Sequence, residues 1–114
     1  MLIHGFPMHQ SVWDDFGERF ADTYKVITID LPGFGKSPIL SNSFSLDEVA
    51  DQVIQFILEM KLSNVVVVGH SLGGYVALSM ISKRPEVPVP KWITGAPGVI
   101  PANNVFMCGK MNVR

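Results

Sequence analysis

The sequence has almost no excess charge: nine Lys and Arg face ten Asp and Glu, for a formal net charge of −1. No basic field is available to draw in nucleic acid or an anionic lipid surface, so neither partner is expected. Cysteine is nearly absent. Cys108 stands alone, so no disulfide can form within the chain, which favours a reducing compartment. Long apolar runs are missing too: none approaches the roughly 20 residues of a membrane span. The opening MLIHGFPMHQ lacks both the basic lead and the apolar stretch of a secretory signal. A cytoplasmic protein is the expectation. Charged residues make up 17% of the chain and hydrophobic ones 47%, which excludes disorder and allows one domain, or part of one, with a modest core. A final absence is local: after Glu86 there is no histidine, aspartate or glutamate.

Within these limits, strand and helix signals alternate three times. Residues 1–3 are apolar and stop at His4-Gly5, as the end of a buried strand would. SVWDDFGERFADT (11–23) sets Val12, Trp13, Phe16 and Phe20 at helical spacing behind Ser11 as an N-cap. YKVITID (24–30) reads as a strand, and residues 31–44, rich in Pro, Gly and Ser, as a long loop. In SLDEVADQVIQFILEMK (45–61), Ser45 and Glu48 have capping-box spacing ahead of an apolar stripe, Leu46, Val49, Ala50, Val53, Ile57 and Met60. NVVVV (64–68) has no polar alternation, as expected of a parallel strand buried on both faces. A helix over 72–83 follows and must stop near Pro85. This alternation predicts an α/β architecture. From residue 87 the chain is Pro-rich with no sustained period; residues 91–95 have the length of a short strand, but we assign none there. The domain reading is a partial core over 1–86 and a divergent tail over 87–114.

The chemistry gathers at VVVVGHSLGGYVAL (65–78). Gly69-His70-Ser71-Leu72-Gly73 is a G-x-S-x-G placed between a strand and a helix. So sharp a turn leaves no room for side chains at the flanking positions, hence Gly69 and Gly73. It presents Ser71 at a helix N-terminus, where unpaired N–H groups and the helix dipole favour negative charge. A serine hydroxyl attacks a carbonyl only when a base takes its proton, and the resulting oxyanion needs two preorganised donors. The Leu72 N–H is one candidate. The other is the Phe6 N–H in IHGFP (3–7), where Gly5 lets the backbone pass close.

HGFPMHQSVWD, DLPGFGKS and GHSLGG, in that order and spacing, resemble the α/β-hydrolase superfamily, in its serine-nucleophile branch. The resemblance covers about residues 1–86. It implies a doubly wound, mostly parallel sheet in which the strand ending in HGF lies between the other two. It also implies an acyl-enzyme mechanism on an ester, a thioester or a C–C bond beside a ketone, in a small-molecule substrate, with no cofactor and no metal. Serine at the elbow sets the chain apart from family members that use aspartate there. The family's acid and histidine follow the serine along the chain, where this sequence has neither. The resemblance therefore implies a piece of the enzyme, truncated at both ends and inactive alone.

Other residues have simpler roles. His70 should point away from its neighbour Ser71, His4 should order the oxyanion loop, and His9 should be a loop residue. Asp30 should fix the DLPGFGKS turn, while Met8, Trp13 and Phe34 suit core packing better than a substrate pocket. Two rival functions remain. One is a non-catalytic binding module on the same fold. The other is a P-loop nucleotide binder through Gly35-Lys36-Ser37, against which stand Asp30 at the loop mouth and Pro38 where a helix should begin.

Overall fold

A computed structural model describes residues 1–39 and 41–83, together with the backbone of 91–95 and 105–107. Five strands form one sheet: β1 (Leu2–Ile3), β2 (Thr28–Ile29), β3 (Val66–His70), β4 (Lys91–Gly95) and β5 (Val105–Met107). Their order is β2-β1-β3-β4-β5 and every pair is parallel. β1 lies between β2 and β3, as the resemblance implies. The segment over 91–95, to which the sequence reading assigns no strand, pairs along its whole length with β3, from Val66 opposite Lys91 to His70 opposite Gly95. A parallel partner supplies what local pattern does not.

Side-chain alternation decides which helices cover which face. Leu2 pairs with Val68 and Ile3 with Gly69, so Ile3, Val67 and Gly69 share one face. There α2 (Leu46–Glu59) and α3 (Leu72–Lys83) pack against each other. Val49, Val53 and Ile57 from α2 meet Val76, Ala77 and Met80 from α3 over Ile3 and Val67. Each of the Val, Ile and Met side chains, taken fully out of water, contributes about 1.5–3 kcal/mol. The opposite face carries Leu2, against which Gly17 of the short α1 (Asp14–Glu18) sits. Helices on both faces make the sheet doubly wound.

Three boundaries differ from expectation. The strand expected over 24–30 is two residues long, because its only described neighbour, β1, offers two residues to pair with. The helix expected over 11–23 is a 3₁₀ turn at Gln10–Trp13 followed by α1. Ser11 lies inside that turn rather than capping it. Gly17 lowers helix propensity, yet a Cβ there would stand 3.1 Å from Val26 Cγ1, so close packing favours the glycine. The strand expected over 64–68 lies two residues later and runs straight into Ser71. Its burial alternates, with Val67 enclosed and Val66 and Val68 half-buried, because only the 10–18 segment covers the second face among the described residues. The helix at 72–83 forms with those limits. α2 begins at Ser45 with the full capping box: the Ser45 Oγ accepts from the Glu48 N–H, and the Glu48 carboxylate accepts from the Ser45 N–H.

Candidate active site

β3 ends at His70, α3 starts at Leu72, and Ser71 makes the whole connection in the left-handed region, at φ 51°. A non-glycine residue there is strained, and such strain is retained where the surrounding structure imposes it. The surroundings here are backbone. A Cβ on Gly69 would run into the Gly73 carbonyl and lie 2.6 Å from the Gly74 N. A Cβ on Gly73 would run into the Ile3 carbonyl and lie 2.7 Å from that of His4. The elbow is thus folded onto itself and pressed onto the end of β1.

That contact brings the second sequence motif to the first. Gly5 is buried so close to the elbow that a Cβ on it would lie 2.8 Å from His70 Nδ1 and 3.0 Å from Ser71 Cβ. The Gly5 carbonyl accepts from the Met8 N–H and from the His4 ring, each at 2.9 Å. The Phe6–Pro7 bond that follows is cis. On the elbow side, the Ser71 carbonyl accepts from the Gly74 and Tyr75 N–H groups, which starts α3. The Leu72 N–H, in the helix's first turn, has no intrahelical acceptor.

Each histidine is accounted for. His4 is 0% exposed. Its Nε2 accepts from the Leu31 N–H at 3.0 Å, so the ring proton resides on Nδ1 and is donated to the Gly5 carbonyl. Its lone pair is already engaged, which disqualifies it as a base for Ser71. His9 is exposed and bonds the Ser11 hydroxyl at 3.0 Å. His70 is exposed with its ring beside Gly5. Among the described residues, no hydrogen bond links a histidine to Ser71.

Asp30 fixes the loop that follows it. Its carboxylate accepts from the Gln10 N–H at 2.7 Å and the Lys36 N–H at 2.9 Å, and its carbonyl accepts from the Ser37 hydroxyl at 2.7 Å. The Lys36 and Gln10 amides hold the Asp30 carboxyl below the usual carboxylate range, against a smaller opposing effect of burial. The loop's inward N–H at Lys36 thus already has its anion, and no helix follows within the described part of 37–44, which removes the phosphate-cradle reading. Trp13 is buried and packs on Phe16 at 5.5 Å, its indole N–H unpartnered among the described residues. Phe34 lines an apolar cavity of about 170 Å³ with Leu31, Phe44, Leu46, Val49 and Leu72. A larger groove of about 580 Å³ follows β2 and the outer side of α2, away from Ser71. It lies along the strand at the sheet's end, and the chemistry points to the elbow instead.

Sequence comparison matches residues 1–94 to the alpha/beta hydrolase fold family, carrying the likeness past Glu86 into β4. The chain is 38% identical over 87 residues to the pimeloyl-[acyl-carrier protein] methyl ester esterase of Aeromonas salmonicida, covering 75% of this chain and 33% of that protein. Similarity to the (E)-2-((N-methylformamido)methylene)succinate hydrolase of Acinetobacter baylyi is 33% over 87 residues, 76% of this chain and 33% of that one. Among solved structures, a thermophilic esterase from Thermogutta terrifontis superposes with a TM-score of 0.76 at 31% identity, over 82% of this chain and 34% of the esterase. The chain therefore spans about a third of the length of the relatives it matches. Doubly wound parallel sheet, strand order and family match agree: the chain belongs to the alpha/beta hydrolase fold family.

Proposed function

We propose that these residues form the nucleophile-bearing part of a serine hydrolase that cleaves an ester, a thioester or a C–C bond beside a ketone through an acyl-enzyme. The observation that carries this reading is Ser71 at positive φ between β3 and α3, with Gly5 against its Cβ. Esterases among the relatives support an ester-like bond. In the first step the Ser71 Oγ bonds to the substrate carbonyl carbon and its proton passes to a base. The carbonyl electrons move onto oxygen, where the Phe6 and Leu72 N–H groups receive the charge. Collapse re-forms the carbonyl and expels the leaving group with a proton, and water then releases the acid by the same route. Gly69 and Gly73 hold the turn, and Gly5 admits the oxyanion loop.

We place the base and the acid that orients it outside the described residues: the His4 ring is engaged on both nitrogens, His9 bonds Ser11, and no described hydrogen bond joins His70 to Ser71. Without a base Ser71 keeps its proton near pH 7, so we read the 114 residues by themselves as lacking turnover. The same gap favours a second reading, a non-catalytic binding module on this fold. The expected partner under either reading is a small molecule, and the expected compartment the cytoplasm. No described helix is long and apolar enough to cross a membrane.

Activity-based labelling tests the proposal. In the full-length protein a fluorophosphonate probe is expected to modify Ser71 and no other serine, with Ser71→Ala abolishing both label and ester turnover. An adduct on Ser37 or Ser79 with Ser71 untouched overturns the assignment. Binding of a small ester without label or turnover favours the binding module.

A further inference from the structure

Residues 31–38, the loop that follows β2, meet the N-terminal ends of α2 and α3 beside the elbow and enclose with them the apolar cavity of about 170 Å³. Leu31 and Val49, 1% and 4% exposed, close its floor. Phe44 and Leu46, 38% and 41% exposed, form its solvent-facing rim. Phe34 and Leu72, both half-buried, make a further wall, and each leads to an oxyanion-donor candidate. Leu72 carries one of those N–H groups itself. Phe34 sets its ring edge-on against that of Phe6, which carries the other, at 5.9 Å between centroids. A carbonyl oxygen held by both donors therefore places its carbon within a few bonds of the cavity. The lining offers nothing to a charge. None of the described lining side chains is ionisable, and the one hydroxyl, that of Ser45, is engaged with Glu48 in the capping box. An apolar cavity of about 150 Å³ lined by Leu, Ile and Phe stays dry and accepts a benzene ring, so this one has room for about six carbons.

We infer that this cavity is the acyl subsite: it takes an uncharged hydrocarbon chain of about six carbons, attached to the carbonyl that Ser71 attacks. The inference rests on the serine-hydrolase reading and names its substrate class, esters of short uncharged acids. The closed floor selects the acyl side over the leaving-group side. The leaving group must depart while the acyl group stays bonded to Ser71, and a blind apolar cavity retains what enters it. Phe34 thus does more than the core packing its sequence suggests, since it joins the cavity to the oxyanion loop. A carboxylate or ammonium at the chain's end would lose its hydration with no partner to replace it, so charged acyl groups of the same length are rejected. A chain longer than the cavity must bend out past Phe44 and Leu46 into water, where further methylenes bring no gain.

The test uses the full-length enzyme and p-nitrophenyl esters of straight-chain acids. From acetate to hexanoate, kcat/KM is expected to rise about fourfold with each methylene, and to level off or fall beyond hexanoate. p-Nitrophenyl hydrogen adipate, with hexanoate's length and a terminal carboxylate, should react at least about 10-fold more slowly than hexanoate. Leu46→Trp narrows the cavity from its solvent-facing rim, where a larger side chain need not disturb the core. It should lower the hexanoate-to-acetate ratio of kcat/KM about 10-fold. Leu58→Ala, at the far end of α2 and half exposed, should leave that ratio as it is. A flat profile across acyl lengths in the parent overturns the inference. So does a rise with the length of the alcohol instead, measured on alkyl acetates, or a Leu46→Trp ratio equal to the parent's. Where Leu46→Trp does not fold, the parent's acyl-length profile and its discrimination against adipate decide. Ser71→Ala run alongside separates the two claims. Full turnover in that variant sinks the serine reading; loss of turnover beside a flat parent profile sinks only the subsite.

Discussion

At Ser71 the backbone carries a conformation that serine disfavours, and the enclosing carbonyls of Ile3 and Gly73 leave the turn no way to relax. The strain predicts an inverted ranking of substitutions. Glycine ordinarily destabilises relative to alanine, but at φ 51° it escapes a penalty of about 1–2 kcal/mol. Ser71→Gly is therefore expected to melt above Ser71→Ala, measured by thermal unfolding of the two proteins side by side. Asp30 gives a second residue-scale expectation. Its pKa is lower folded than unfolded, because the Lys36 and Gln10 amides favour the carboxylate. The folded state thus binds fewer protons, and the stabilisation is complete above the unfolded value near pH 4 and lost as pH falls through the folded one. Denaturation midpoints between pH 5 and 3 should consequently decline less steeply in Asp30→Asn than in the parent.

Elements show where sequence pattern suffices. α2 is legible from residues alone because its cap, its stripe and its length are local facts: Ser45 and Glu48 bond each other as their spacing requires. Ser45→Ala should cost about 1 kcal/mol, read as a lower midpoint in urea with an unchanged slope. Across the α2–α3 seam, Lys83 bonds Asp51 at 2.5 Å, but both side chains are partly solvated, so Asp51→Asn should change stability by less than about 1 kcal/mol. The elbow was legible too, since G-x-S-x-G between strand and helix specifies its own geometry. β2 and β4 were not. A strand's extent is set by its neighbour, so β2 shrinks to the length of β1 while β4 forms opposite β3 in a stretch with no period of its own. The tautomer and reach of His4 were equally hidden, because Leu31 is remote in sequence and adjacent only after β1 and β2 pair.

At the scale of the whole molecule, β2 ends the sheet, its outer side unpaired among the described residues and facing the groove lined by Gln52, Gln55, Phe56 and Glu59. Exposed Leu58 and Met60 extend the apolar surface at the same end of α2. Unpaired strand edges beside apolar surface invite pairing with other chains. The 114-residue chain, purified alone, is expected to sediment as oligomers and to unfold without a sharp transition. A monomer in velocity sedimentation with cooperative melting, and ester turnover removed by Ser71→Ala, would contradict both that expectation and the reading of the chain as inactive. The place of β1 between β2 and β3 also sets a timetable. β1 finds its partner at Thr28–Ile29 on one side and at Val68–Gly69 on the other, a separation of roughly forty residues. At about 5–20 residues per second of synthesis, that is a delay of about 2–8 s. During that delay the oxyanion loop and the 31–38 loop can be joined by His4 while the nucleophile does not yet exist as a folded turn. The serine arrives after both loops, into a cradle whose other half is already made.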